Sequence, residues 1–196
     1  GVRLVHLGVL GGGVALLAPV VWQFMPGYQR NRLLIFLNPE SDPSGDGYNM
    51  IQSRISVGSG GWLGQGFAHG TQSQLDFLKV QHTDFIFAVL GEELGFVGAV
   101  GLFLLFIILL FCIIRAASNQ KEMFGRVFAA GIASMLLFQI FINVGMTIGL
   151  MPVTGIPLPL ISYGSSNLLT TLLAFGLLQS LLTSSQKTAW DGYASG

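Results

Sequence analysis

The stretch SGGWLGQGFAHGTQSQLDFLKVQHTDFIFAVLGEELG, Ser59 to Gly95, decides how the chain is read. A glycine-broken polar loop runs without a linker into an apolar segment that carries two adjacent glutamates. It holds Asp76, Asp84, Glu92, Glu93, His69, His82 and Lys79, a density of functional groups that no other part of the chain matches. Ionisable groups at or inside a membrane cost free energy that packing does not return, so they mark function by default. The remainder reads as scaffold for this segment.

That a membrane is involved follows from composition. Of 196 residues, 52% are apolar and 9% charged, against about 25% charged in soluble proteins. This is the composition of an integral membrane protein, all-α in class. The formal net charge is zero, so nothing favours nucleic acid as a partner. Cys112 lies in a run of leucine, isoleucine and phenylalanine and reads as an inert buried thiol; a single cysteine leaves no disulfide within the chain. Gly1 is not an initiator methionine and no signal-peptide pattern follows it, so the expectation is a piece of a longer protein.

Apolar runs predict four spans, about 4–24, 84–114, 128–150 and 168–182, in a single membrane domain covering 1–196. In the first, Gly8, Gly11, Gly12 and Gly13 give the small-residue spacing of close helix contact. Segment 26–83 is too long and polar for a simple connector. Within it, Asn49 to Val57 has the spacing of a short interfacial helix, and Tyr28 to Leu37 joins Arg30 and Arg32 to an apolar run. Those arginines are either snorkelling anchors or pyrophosphate contacts. In the third span, Gln139 and Asn143 share one face and suit bonding across helices. The proline-rich Gly149 to Asn167 stretch cannot continue that helix. Arg115, Lys121 and Arg126 cluster between spans two and three, which places that side in the cytoplasm and segment 26–83 outside.

On a helix starting at Asp84, Ala88, Gly91 and Gly95 fall within about 40° of it and Glu92 about 80° round. A carboxylate above a bare stripe leaves room for a neighbouring helix or a lipid-linked substrate. Asp84 is either a helix cap or a base acting on a hydroxyl, and both readings stand on spacing alone. His69 and His82 lack a partner at metal-ligand spacing, so no protein metal site is assigned. Ser162, Ser165 and Ser166 read as turn or cap residues rather than nucleophiles.

GSGGWLGQGFAHGTQSQLDFLKVQHTDFIFAVLGEELGFVGA (Gly58–Ala99) closely resembles the extracytoplasmic signature of the shape, elongation, division and sporulation family, the RodA and FtsW glycosyltransferases. PVTGIPLPLISYGSSNLL (Pro152–Leu169) resembles the family's second signature, with SYGSSN where SYGGSS is usual. The match leans towards RodA and implies the last four spans of a fold of about ten. It implies polymerisation of lipid II into peptidoglycan strands in the bacterial inner membrane, with a class B penicillin-binding protein as partner. The family's essential aspartate maps onto Asp84, as the base or orienting group for the acceptor hydroxyl. His82, Thr83, Lys79, Thr71, Gln72, Glu92, Glu93, Arg30, Arg32, Ser162 and Tyr163 are the implied substrate contacts. A divalent cation, magnesium or manganese, is implied at the leaving pyrophosphate. The chain alone is not expected to turn over; a lipid II flippase and a non-catalytic scaffold are the alternatives.

Overall fold

Two long apolar helices carry the architecture; two short helices lie against one end of them and a third long helix packs near the other. The structure, a computed structural model, describes residues 16, 17, 19–66, 69, 84–118, 120 and 122–194, without the side chains of 182 and 184–194. Expectations for Thr71, Gln72, Asp76, Lys79, His82 and Thr83, and for the start of the first span, lie outside the described residues. The order is α1 (Gly27–Leu37), a turn of 3-10 helix (Pro39–Ser41), α2 (Asp46–Ser59), α3 (Ile86–Ser118), α4 (Met123–Thr147) and α5 (Ser165–Ala194). Among the described residues there is no strand.

Helices α3 and α4, with 33 and 25 residues and peak mean hydropathies of 3.2 and 2.1, are long and apolar enough to cross a membrane. They occupy the expected second and third spans. The fourth expected stretch lies within α5, and the end of the first is helical where described. Two helices among the described residues therefore meet the criterion for spanning, where the sequence predicts four. The inner faces of α3, α4 and α5 share a core of Ile113, Ala129, Ile132, Ala133, Leu136 and Leu178. Ala129 and Ala133 supply the small side chains that let helices approach closely in lipid. On the outer face of α3, Leu104, Leu105, Ile107, Ile108 and Phe111 are exposed. Cys112 is exposed there too, contrary to the buried thiol predicted. A helix apolar on every side does not tell a protein core from lipid, which is why sequence reading misplaced it.

Segment 26–83 is not a bare loop: α1 and α2 occupy its first half. The stretch predicted as a short helix is helical as part of α2, and its packing face consists of Gly47, Asn49, Met50, Ser53 and Ser56, all buried, while Ile55 is exposed. Small side chains bring α2 close to α3, and the Ser53 hydroxyl donates to the buried carbonyl of Thr147 at 2.7 Å. The bare stripe on α3 is thus filled in part by a neighbouring helix, since a methyl at Gly91 would touch Val57 at 3.4 Å.

The second span is not one continuous helix. Gly95 has φ 64° and ψ −160°, a region open essentially to glycine alone. The chain from Gly61 to Gly66 repairs the break. Amides of Gln65 and Gly66 donate to the carbonyls of Glu92 and Glu93, which end the first part, at 2.9 and 3.0 Å. Amides of Phe96 and Val97, which start the second part, donate to the carbonyls of Gly61 and Trp62 at 2.9 and 3.1 Å. A broken helix leaves backbone groups that need partners, and this patch supplies them. Its glycines follow from the closeness of the two backbones: a Cβ at Gly64 would overlap the Glu93 carbonyl.

Candidate active site

The head of α3 and the proline-rich stretch after α4 meet at Asp84. The carbonyl of Phe85 accepts the first helical bonds, from Ala88 and Val89 at 2.9 and 3.4 Å. Phe85 therefore holds the cap position, and Asp84 stands one residue before it, half-buried. A side chain on Gly155 would bring its Cβ to 3.6 Å from Asp84 Oδ2, so the carboxylate lies against bare backbone there. Gly155 has φ +73°, which favours glycine for a second reason. Beneath, Met50 of α2, the cap residue Phe85, Ala88 of α3 and Val153 form one apolar cluster.

Residues 148–156 have an irregular backbone, and three of their carbonyls, with that of Thr147 at the end of α4, are taken by side-chain donors from elsewhere. Ser53 bonds Thr147, Arg54 bonds Gly149 at 3.0 Å, Arg32 bonds Val153 at 3.1 Å and Asn143 bonds Ile156 at 2.8 Å. The same Asn143 amide donates to the backbone carbonyl of Asp84 at 2.9 Å. α4 ends at Thr147, three residues before the predicted end of the third span at Leu150. Gly149, at φ +76°, reverses the chain there, and the amide of Leu150 returns to the Gly145 carbonyl at 2.8 Å.

The other expected contacts are placed as follows. Arg32 lies 3.8 Å from Asp46 in a partly exposed pair, of little worth to stability on its own. Arg30 donates to the Gln23 carbonyl at 2.6 Å and lies over the Trp22 ring at 5.9 Å. Glu92 is fully buried on the α2 side of α3, and Glu93 is half-buried. Ser162 is buried and its hydroxyl accepts from the Leu158 amide at 2.7 Å, as a turn residue does, whereas Tyr163 is exposed. The structure thus gathers Asp84, Gly155 and Asn143, with Arg32 on the same stretch, and leaves Tyr163 on the surface. Gly155 was missed by sequence reasoning; a glycine between Thr154 and Ile156 in a proline-rich run was the available signal. The sequence points to Asn143 as a helix-to-helix contact, and its bond to the Asp84 carbonyl has no sequence signal.

Among the described residues no three His, Cys, Asp or Glu side chains gather as a metal cradle. Those residues alone do not fit a protein-held cation. What they offer is a carboxylate fixed at the junction of two backbone segments, above an apolar floor. Such a group can accept a proton from a hydroxyl placed beside it.

Comparison with known proteins gives this arrangement its context. "Peptidoglycan glycosyltransferase MrdB" of Escherichia coli K12 is 49% identical over 178 residues, covering 90% of this chain and 48% of its own. "Peptidoglycan glycosyltransferase RodA" of Treponema pallidum is 49% identical over 154 residues, covering 79% and 36%. The chain spans about half or less of the length of these relatives. A solved structure described as "Structural coordination of polymerization and crosslinking by a peptidoglycan synthase complex" superposes with TM-score 0.71 at 39% identity, over 92% of this chain and 49% of that one. The RodA crystal structure from Thermus thermophilus gives TM-score 0.51 at 31% identity, over 84% and 57%. The family model for FtsW, RodA and SpoVE, described as "Cell cycle protein", matches residues 1–187, and the chain belongs to that family.

Proposed function

We propose that this chain is part of a glycosyltransferase of the bacterial cytoplasmic membrane that polymerises lipid II into peptidoglycan strands, with Asp84 as general base. The observation that carries the reading is the meeting of the two signature stretches at one carboxylate, Asp84 against Gly155. The names of the relatives support the reaction class. In the proposed step the acceptor sugar hydroxyl gives its proton to the Asp84 carboxylate as its oxygen bonds to the donor's anomeric carbon. The bond from that carbon to the pyrophosphate oxygen breaks, and its electron pair leaves with undecaprenyl pyrophosphate. Arg30, Arg32, Lys79, His82 and Thr83 belong to this reading as substrate contacts.

The test is polymer formation from lipid II by the purified full-length protein in detergent, where a flippase would make none. Asp84→Asn keeps shape and polarity but not the negative charge, so polymerisation is expected to fall by about 10²-fold or more while folding is retained. Near wild-type polymerisation by that variant would refute the base assignment.

The reading includes four spans with segment 26–83 outside, supported by the cations Arg115, Lys121 and Arg126. Cysteines replacing Ser41 and Asn119 are expected to label from opposite sides, and labelling of both from outside would reverse the orientation. It also includes a penicillin-binding protein. Its single membrane helix would lie on the outer face of α3 and α4, where Phe103, Ile107, Leu110, Leu137, Phe141 and Ile148 line an apolar groove of about 300 Å³. Photocrosslinkers replacing Ile107 and Phe141 are expected to capture that partner in cells.

A further inference from the structure

Asn143 is fully buried near the end of α4, and its side chain bonds main-chain carbonyls outside α4. Both hydrogens of its amide are committed: one bond goes to the Asp84 carbonyl at 2.9 Å, the other to the Ile156 carbonyl at 2.8 Å. Its own oxygen is buried without a hydrogen-bond partner. A buried amide that leaves its acceptor unused is held there for its donors, because an unpaired buried polar atom carries a desolvation cost. The two carbonyls belong to the residue before the cap of α3 and to the loop residue after Gly155.

We propose that Asn143 is a positioning residue: its amide fixes the distance between the head of α3 and the 153–156 stretch, and so sets where the Asp84 carboxylate points. The Asp84 side chain is reached through its own main chain, so losing the clamp displaces the carboxylate without altering its chemistry. Thr147 supports the arrangement one turn on, its hydroxyl donating to the Asn143 carbonyl at 2.7 Å and its carbonyl accepting from Ser53. The inference rests on the base reading for its effect on turnover, but not for its effect on structure.

The experiment uses the full-length protein with Asn143→Leu, which keeps approximate volume and removes both donors, and Asn143→Ser, which is smaller and keeps one. Hydrogen exchange is expected to accelerate at amides 84–90 and 153–158 while α5 and the part of α3 beyond Gly95 keep their protection. Lipid II polymerisation is expected to drop by about 10²-fold in kcat for Asn143→Leu, the scale of a misplacement of order 1 Å, with KM little changed and Asn143→Ser between. In an Asp84→Glu background, where the carboxylate is already displaced, adding Asn143→Leu is expected to cost less than about 3-fold more. Multiplying losses, or exchange that rises everywhere, would overturn the proposal, since either marks a general structural role. Should Asn143→Leu fail to insert, the exchange and cycle measurements on Asn143→Ser decide on the same criteria. If Asp84→Asn retains polymerisation, the base reading fails separately and the exchange pattern alone judges the clamp.

Discussion

The two parts of α3 on either side of Gly95 obey different rules. In Ile86–Leu94, Phe87, Ala88, Gly91 and Glu92 are buried against α2, the glycine-rich chain and the second signature stretch. Beyond the break, Phe96, Val97, Leu104, Leu105, Ile107, Ile108 and Phe111 are exposed, and Leu102, Phe106 and Ile113 are buried. The first part carries Glu92 and Glu93 and is packed against protein. The second is apolar on every side up to Arg115, and its exposed face suits lipid. A continuous helix would tie the direction of Asp84 to that of the span. The break lets the head take its position from α2 and from the 147–156 backbone instead.

Gly95→Val attacks the comparison most strongly. The added side chain would overlap the backbone of Leu63 and Gly64, at a φ that disfavours any Cβ and most of all a branched one. Strain and overpacking together are expected to cost about 3 kcal/mol or more, read as a large loss of folded protein and of Tm in detergent. A variant as stable as the parent would mean that α3 runs straight and the two parts are one. Next in size is Ile108→Lys, on the exposed face of the second part. A lysine at the middle of a span costs about 3 kcal/mol in membrane insertion, so reduced insertion is expected, and normal insertion would show that this face does not meet lipid. Smaller again is Ser53→Ala, which leaves the buried Thr147 carbonyl without its donor. A loss of about 1–3 kcal/mol is expected in thermal unfolding, and no loss would detach α2 from the end of α4.

The sequence made the spanning part of α3 legible because a long apolar run has few other uses, and it marked Asp84 because a carboxylate at the mouth of such a run needs a reason. It gave no notice of the break. Gly91 and Gly95 were read as a bare stripe on an intact helix, since a turn count assumes helical φ and ψ at every position. Their partners Gly60, Gly61 and Gly64 lie some thirty residues away along the chain, and nothing in local propensity says that one glycine run mends another. The α2 face was partly illegible for a related reason. Apolar spacing points to Met50, Ile51 and Ile55; of these Met50 is buried, but close backbone approach sets Asn49, Ser53 and Ser56 beside it. Asn143 bonds to two main-chain carbonyls, and main-chain acceptors leave no trace in residue identity.

The smallest effect is also the cleanest control. Gly101 lies in the second part of α3, six residues beyond Gly95, and a Cβ there would meet nothing within 4 Å. Its backbone is helical, so Gly101→Ala removes conformational freedom from the unfolded chain without introducing a clash. A gain of about 0.5–1 kcal/mol is expected, seen as a small rise in Tm. Gly95→Ala, the same chemical change in the same apolar run, is expected to lower Tm sharply. Opposite signs from one methyl group would separate a glycine required by backbone geometry from one that is merely tolerated. Should Gly101→Ala destabilise as much as Gly95→Ala, the second part of α3 is packed against protein at that point, and the division of the helix into a protein-walled head and a lipid-facing span fails.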